Sequence, residues 1–205
     1  MLVIDGVVGV GKSTLMKILS EKYSLIPFRE PVVNNPILEK FYHDRSRYSF
    51  PLQIFFLNKR LDQLNEAAQS TGAVLDRSIY GDLIFAKMLC DNDELSKEEY
   101  SIYHELFDNM SEHMPKPKLL IYLDISVDNA IKRIEKRGRD YELITEKDYW
   151  KELNKNYTEF FRSYNYSPIL KINVNDLDFE NNLEHRDYIL SVIDDALNKL
   201  EEQSA

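Results

Sequence analysis

The fold is decided by one stretch near the start of the chain, Leu2-Val3-Ile4-Asp5-Gly6-Val7-Val8-Gly9-Val10-Gly11-Lys12-Ser13-Thr14. Its pattern Gly-x-x-x-x-Gly-Lys-Ser follows an apolar run and precedes an apolar-periodic segment that begins near Lys12. In that context the pattern indicates a P-loop, whose glycines let successive backbone N–H groups point at nucleotide phosphates. We expect residues 6–14 to bind ATP, with Lys12 reaching the β- and γ-phosphates and the Ser13 hydroxyl ligating Mg²⁺.

Apolar runs of strand length alternate with longer helical patterns along the 205 residues. This alternation predicts an α/β fold of the P-loop kinase type, with a doubly wound, five-stranded parallel sheet flanked by helices. Because the sequence has no linker or repeat, we expect residues 1–205 to form a single domain. The predicted strands are 2–5, 26–30, 73–76, 119–124 and 169–174.

Apolar spacing and end signals predict the longer helices. The spacing indicates helices over 52–68 and 183–200. Ser96 and Glu99 form a capping-box pattern that opens another helix. Thr145 is the expected cap of a helix that reaches about Tyr164.

The composition narrows the classes of function. A formal net charge of −9 disfavours a protein that coats nucleic acid, which requires a basic face. The apolar runs are too short to span a membrane, and the first residues do not have the pattern of a signal peptide. The single cysteine, Cys90, favours a reducing, cytoplasmic location.

Charged residues lie at the ends of two of the predicted strands, at the sheet edge where such folds bind ligands. Glu30 is suited to act as a general base toward an acceptor hydroxyl, or is a solvent-facing residue before the turn at Pro31. Asp76 is a candidate for the magnesium shell and Arg77 for neutralising charge on a transferring phosphoryl group. Alternatively, Asp76, Arg77 and Ser78 form a helix N-cap with an ion pair.

A cationic segment lies at 131–139 in this acidic chain. Gly138 fits the C′ position of a helix, and cations near a helix C-terminus also complement its dipole. Such capping does not require three arginines, and this segment has Arg133, Arg137 and Arg139. We expect them to belong to an arginine-rich lid, at about 133–145, that closes over the phosphates.

Six aromatic residues lie between positions 41 and 60. Their helical spacing alone favours core over pocket. Gln53 and Arg60 are interleaved with them and offer hydrogen bonds to a planar base. The six are Phe41, Tyr42, Tyr48, Phe50, Phe55 and Phe56.

In order along essentially the whole chain, these motifs resemble the deoxyribonucleoside kinase family, most closely its deoxyadenosine and deoxyguanosine kinases of Gram-positive bacteria. The resemblance implies transfer of the γ-phosphoryl group of ATP to a nucleoside 5′-hydroxyl, with Mg²⁺ present, by a homodimer. Deoxyadenosine is the first choice of acceptor, then deoxyguanosine or deoxycytidine. The motifs are the P-loop, Arg29-Glu30-Pro31-Val32, Asn35-Pro36 through Phe41-Tyr42, Leu52-Gln53, Asp76-Arg77-Ser78-Ile79-Tyr80 and Arg133 through Arg139.

The resemblance also implies roles at the reacting end of the site. Glu30 matches the general base, Asp76 the acidic metal-shell position, and Arg77 the arginine between nucleophile and phosphoryl group. Tyr42 and Glu142 match the pair that holds the sugar 3′-hydroxyl. The arginines of the family's lid correspond to Arg133, Arg137 and Arg139 of this chain.

At the base end, Gln53 matches the residue that hydrogen-bonds the base edge, and Arg60 with Asp82 matches the charged pair that completes base recognition. Phe85 matches an aromatic residue that packs on the base. The resemblance therefore reverses the reading of the aromatic stretch, since Phe41 and Phe56 fall in the nucleoside pocket. Phe56 stands where some relatives carry a small residue and would narrow the pocket.

Two other functions are compatible with a P-loop. One is a monophosphate kinase such as thymidylate kinase, but such an acceptor requires cations where it docks, and Glu30, Tyr42, Asp82 and Glu142 supply none. The other is a nucleotide-dependent switch protein. Its Asn-Lys-x-Asp signature fails, because Leu61 stands where the aspartate belongs.

Overall fold

Five parallel strands form the centre of the fold: β1 (Leu2–Asp5), β2 (Ile26–Phe28), β3 (Ala73–Asp76), β4 (Leu119–Asp124) and β5 (Ile169–Asn173). Their order in the sheet is β2-β3-β1-β4-β5. This computed structural model describes residues 1–30, 35–143 and 145–203, and of Tyr141 only the backbone. The predicted α/β fold with a five-stranded parallel sheet is confirmed.

Helices connect the strands and flank the sheet. Helix α1 packs on β1, β2 and β3, α3 packs on β2 and β3, and α9 packs on β5. Within the described ranges, no helix is both long and apolar enough to cross a membrane. The helices are α1 (Lys12–Tyr23), α2 (Leu38–His43), α3 (Arg45–Gln69), α4 (Ile79–Asp91), α5 (Lys97–Ser111), α6 (Val127–Arg137), α7 (Asp140–Leu143), α8 (Lys147–Arg162) and α9 (Leu183–Glu202).

The central strands are apolar because both faces of the sheet are covered. Every residue of β1 and β3 is buried. In the register, Ile4 lies opposite Asp76 on one side and Ile121 on the other. The carboxyl ends of β1 and β3 therefore meet at one edge of the sheet and bring Asp5 and Asp76 together there.

The helix ends differ in part from the predicted ones. The capping box is confirmed: the Ser96 hydroxyl accepts from Glu99 N at 3.2 Å, and Ser96 N donates to the Glu99 carboxylate at 2.9 Å. The predicted cap at Thr145 is wrong, because α8 begins one residue later, with Glu146 at the N-cap position. Gly138 ends α6 in the left-handed conformation, as predicted.

Two further element boundaries differ from the predicted ones. Helix α3 begins at Arg45 rather than near residue 52, since Asp44 caps it and Pro51 is accommodated at an exposed position inside it. Proline more often marks a first turn, which explains the late predicted start. Strand β2 ends at Phe28, so Glu30 follows the strand rather than ending it. The predicted break at Pro31 lies outside the described residues.

Candidate active site

A cavity of about 680 Å³ opens at the carboxyl edge of the sheet. Its walls come from the P-loop, α2, α3, the start of α4, the lid segment and the loop after β5. The structure brings most of the predicted site residues into this one space. The predicted residues that line it are Val8, Gly9, Gly11, Lys12, Ser13, Thr14, Glu30, Phe41, Tyr42, Gln53, Phe56, Asp76, Arg77, Asp82, Phe85, Arg133, Arg137, Arg139 and Glu142.

Four predicted residues do not line the cavity, namely Gly6, Val7, Val10 and Arg60. Gly6 turns the chain out of β1 at φ 145°, where a Cβ atom would lie 2.5 Å from the Leu123 carbonyl oxygen. Val7 and Val10 are buried beneath the loop. These three residues shape the P-loop rather than face the cavity, and Arg60 is treated below.

Lys12 occupies the centre of the P-loop. Its ammonium group donates to the carbonyl oxygens of Gly6 at 2.9 Å and Val7 at 3.0 Å. Burial, followed by repulsion from the Arg77 guanidinium, lowers the pKa of Lys12 to about 8. An anion in the loop would favour the charged form, as phosphate binding requires.

Ser13 and Asp76 place two oxygen-bearing side chains next to each other on the cavity wall. The Ser13 hydroxyl donates to Asp76 Oδ2. The other carboxylate oxygen, Asp76 Oδ1, is buried and has no hydrogen-bond partner among the described residues. Mg²⁺ is commonly held by one or two protein oxygens together with waters and substrate phosphates. The pair therefore fits the predicted magnesium site.

Glu30 lies in a buried network with two arginines. Its Oε1 atom is 2.5 Å from Arg77 Nε and 3.7 Å from Arg60 Nη2. Arg60 also donates to both carboxylate oxygens of Asp82, at 2.8 and 3.3 Å. These ion pairs hold Glu30 at the cavity wall. The alternative prediction, a solvent-facing residue before the turn, is therefore wrong.

The pKa values of the two acids in this network, Glu30 and Asp82, are shifted in opposite directions. Burial alone would raise the pKa of Glu30, but the Arg77 guanidinium, then Arg60 and Lys12, lower it to about 2. For Asp82, burial dominates over attraction to Arg60 and raises its pKa. Glu30 is therefore ionised at neutral pH and able to accept a proton.

Arg77 is held in a strained backbone conformation. Its φ is 80°, and its N–H group donates to the Ile4 carbonyl oxygen at 2.8 Å. The guanidinium group also donates to the Tyr157 hydroxyl and lies 5.1 Å from the centre of the Phe85 ring. Such strain at a residue that faces a cavity is characteristic of functional sites. Ser78 caps α4 and Arg77 pairs with Glu30, so the alternative of an N-cap with an ion pair is confirmed, while the role of Arg77 toward a phosphoryl group stays a prediction.

The predicted base-binding residues lie on two walls. Gln53 and Phe56 come from α3, while Asp82 and Phe85 come from the first turns of α4. Arg60 is only 1% exposed and lies behind Asp82, so it would act on a base through that carboxylate. Phe41 is 3% exposed and lines the cavity, which makes it both core and pocket.

The lid arginines divide into two groups. Arg137 donates to both oxygens of Glu142 at 2.6 Å, and Arg139 lies 3.4 Å from the same carboxylate. Arg133 instead donates to the carbonyl oxygens of Val10 at 2.9 Å, Val174 at 2.9 Å and Leu177 at 3.2 Å. Arg133 therefore ties the P-loop to the segment after β5, and its predicted contact with phosphates stays a prediction. Residue 144 of the predicted lid lies outside the described residues.

Sequence reasoning missed several wall residues. The loop after β5 carries no motif. Its position after the carboxyl end of a strand is the one signal that could have predicted its place in the cavity wall, because ligands bind at these strand ends. The ring of Phe179, in this loop, covers Gly11. A Cβ atom added at Gly11 would lie 2.8 Å from that ring. The missed residues are Leu38, Leu52, Lys136, Tyr149, Leu177, Asp178, Phe179, Glu180 and Asn181.

The P-loop and the Glu30 carboxylate open into the same cavity. A nucleotide phosphate and an acceptor hydroxyl can therefore be held next to each other, as phosphoryl transfer by positioning and charge neutralisation requires. Fold and site together define a P-loop phosphotransferase.

Comparison with known proteins specifies the class. Residues 2–198 match the family model described as "Deoxynucleoside kinase", and the chain belongs to this family. It is 41% identical to a deoxyadenosine kinase of Lactobacillus acidophilus, over 97% of both chains. It is 43% identical to a deoxyadenosine/deoxycytidine kinase of Bacillus subtilis, over 97% of this chain and 95% of the relative. The structure of deoxyadenosine kinase from M. mycoides with bound dATP matches with a TM-score of 0.84 and 34% identity, over 94% of this chain and 98% of that one.

The low pKa of Glu30 predicts a specific loss of stability in acid. The pKa is about 2 in the folded protein, below the ordinary value of 4.5, so the unfolded chain binds the proton first. The contribution of Glu30 to the free energy of unfolding is complete above pH 4.5 and is lost as the pH falls toward 2. Urea unfolding of the wild type and Glu30→Gln should therefore give a stability difference that shrinks between pH 6 and pH 3. A difference that stays constant over this range would contradict the predicted pKa.

Proposed function

We propose that this enzyme transfers the γ-phosphoryl group of ATP to the 5′-hydroxyl of a deoxyribonucleoside, with deoxyadenosine as the preferred acceptor. The product is the 5′-monophosphate used in nucleotide salvage. The observation that carries the proposal is the Glu30–Arg77 pair on the wall of the cavity into which the P-loop opens. The family of the chain and the names of its similar relatives support the same reaction.

Glu30 and Arg77 act together in the proposed mechanism. Glu30 accepts the proton of the 5′-hydroxyl as this oxygen attacks the γ-phosphorus, while the bond from that phosphorus to the β–γ bridging oxygen breaks and ADP leaves. As the phosphoryl oxygens attract the Arg77 guanidinium, its hold on Glu30 weakens, and the pKa of the carboxylate rises while it takes the proton. Lys12 stabilises the phosphate charge from the donor side. Ser13 and Asp76 would hold Mg²⁺, which neutralises charge on the phosphates when bound.

The acceptor would be held along the remaining walls of the cavity. We assign Tyr42 and Glu142 to the sugar 3′-hydroxyl, and Gln53 and Asp82 to the base edge. Phe85 and the neighbouring aromatic side chains would pack on the base faces. Two of the lid arginines, Arg137 and Arg139, already bind Glu142, so sugar binding and phosphate binding would meet at these two residues.

A panel of acceptors tests the proposed substrate. With ATP and Mg²⁺, we expect phosphorylation of deoxyadenosine with the highest kcat/KM, followed by deoxyguanosine or deoxycytidine, and no activity after chelation by EDTA. Thymidine and thymidine monophosphate belong in the same panel. Turnover of thymidine monophosphate without turnover of any deoxynucleoside would overturn the proposal in favour of a monophosphate kinase.

Replacing the proposed base tests the mechanism. Glu30→Gln should retain nucleoside binding and lower kcat roughly 10²- to 10⁴-fold, the range for lost general-base catalysis. The matched control is Glu39→Gln, which removes an exposed carboxylate of α2 and should leave kcat unchanged. An unaltered kcat in Glu30→Gln would remove Glu30 from the mechanism.

We also propose that the enzyme is a cytoplasmic homodimer. Support for a dimer comes from α5, where Ile102 and Leu106 are 56% and 40% exposed and lie one helical turn apart. Two copies of this apolar face would bury each other by two-fold symmetry. Support for the cytoplasm comes from Cys90, a free thiol that a reducing compartment preserves.

Light scattering tests the dimer. The wild type should have the mass of two chains, and the double variant Ile102→Asp, Leu106→Asp should have the mass of one. Leu183→Asp serves as the control, since this side chain is 69% exposed but lies on α9. A wild-type monomer, or dissociation by the control alone, would contradict the proposed interface.

A further inference from the structure

Tyr149 lines the cavity and carries a buried hydroxyl group. It lies in the first turn of α8, is 6% exposed and forms part of the cavity wall. Its hydroxyl has no hydrogen-bond partner in the described ranges. Buried polar groups are nearly always hydrogen-bonded, so this hydroxyl requires an explanation.

The ring of Tyr149 is fixed by its neighbours. The Arg45 guanidinium lies 4.3 Å from the ring centre, and the Trp150 ring packs edge-on at 5.1 Å. Arg45 is held in turn by Glu94 at 3.3 Å, and this carboxylate does not reach the hydroxyl. These contacts hold the ring in place at the cavity wall, and the position of its hydroxyl is fixed with it.

The position of Tyr149 along α8 identifies the half of the cavity that it faces. Tyr157, further along the helix, binds Arg77 through its hydroxyl and so marks the end where phosphoryl transfer is proposed. Tyr149 lies about 12 Å back along the helix axis, at 1.5 Å per residue. It also lies against Arg45, which is close in sequence to Tyr42 of the acceptor wall. This places Tyr149 beside the nucleoside rather than beside the phosphates.

We propose that the Tyr149 hydroxyl hydrogen-bonds the acceptor nucleoside and contributes to its selection. A phenol hydroxyl both donates and accepts, so it can serve a sugar hydroxyl or a polar atom of the base. Burial keeps the phenol neutral by raising its pKa. The inference rests on the proposed function, since it names a further contact with the same acceptor.

The test is Tyr149→Phe, which removes only the hydroxyl. Without nucleoside, the variant should melt at the same temperature as the wild type or higher, because deleting an unpaired buried hydroxyl removes no hydrogen bond. Its Kd for deoxyadenosine, measured by calorimetry, should rise about three- to tenfold, the usual effect of one hydrogen bond. The KM for ATP should not change.

Tyr103→Phe is the matched control. Tyr103 is also buried with a hydroxyl that has no partner in the described ranges, but it does not line the cavity. Its variant should resemble Tyr149→Phe in melting temperature and the wild type in nucleoside affinity. Wild-type affinity in Tyr149→Phe, or an equal loss in Tyr103→Phe, would overturn the inference.

The outcome also separates the inference from the proposed function. If the wild type phosphorylates deoxyadenosine while Tyr149→Phe binds it normally, only the role of Tyr149 fails. If the wild type phosphorylates no deoxynucleoside, the proposed function fails first.

Discussion

One buried carboxylate, that of Asp5, connects the P-loop to the turn that carries Arg77. This residue is 0% exposed and ends β1 at the centre of the sheet. One oxygen accepts from Gly6 N at 2.7 Å, and the other accepts from Ser78 N at 3.0 Å and from the Ser78 hydroxyl. A buried carboxylate is costly unless it is hydrogen-bonded, so these bonds are strongly retained. Asp5 thereby fixes the start of the P-loop relative to the turn that carries Arg77.

This fixed junction explains why charges of both signs can be packed beside the P-loop. Arg77 adopts a left-handed conformation between Asp76 and Ser78, and its guanidinium reaches Glu30 while its N–H group is held by β1. Arg60 balances the charges of Glu30 and Asp82 from behind. Each charge is paired, as burial requires, yet Glu30 and Arg77 still face the cavity. The pairing keeps Glu30 ionised and makes its pKa depend on where Arg77 lies.

The sequence predicted the parts of this site that follow local rules. The P-loop and the strands were recognisable because glycine spacing and apolar runs encode them directly. The resemblance to a family placed Glu30, Gln53 and Glu142, which local patterns left ambiguous. The Tyr149 hydroxyl, which has no partner among the residues that the structure describes, was not predictable, because its surroundings depend on the packing of α8 against Arg45 at the start of α3. The carbonyl contacts of Arg133 were hidden for the same reason, since its three acceptors are far from it in sequence.

The arginines at 133–139 make two separate sets of contacts. Arg133 lies in the middle of α6 and donates to backbone carbonyl groups of the P-loop and of the segment after β5, which couples that helix to both. Arg137 ends the helix and, with Arg139 beyond it, binds the Glu142 carboxylate. Arg133 and Arg137 lie one helix turn apart on α6, so one rigid element carries contacts of both kinds. A displacement of α6 would therefore change the contacts of the P-loop and those of Glu142 at once.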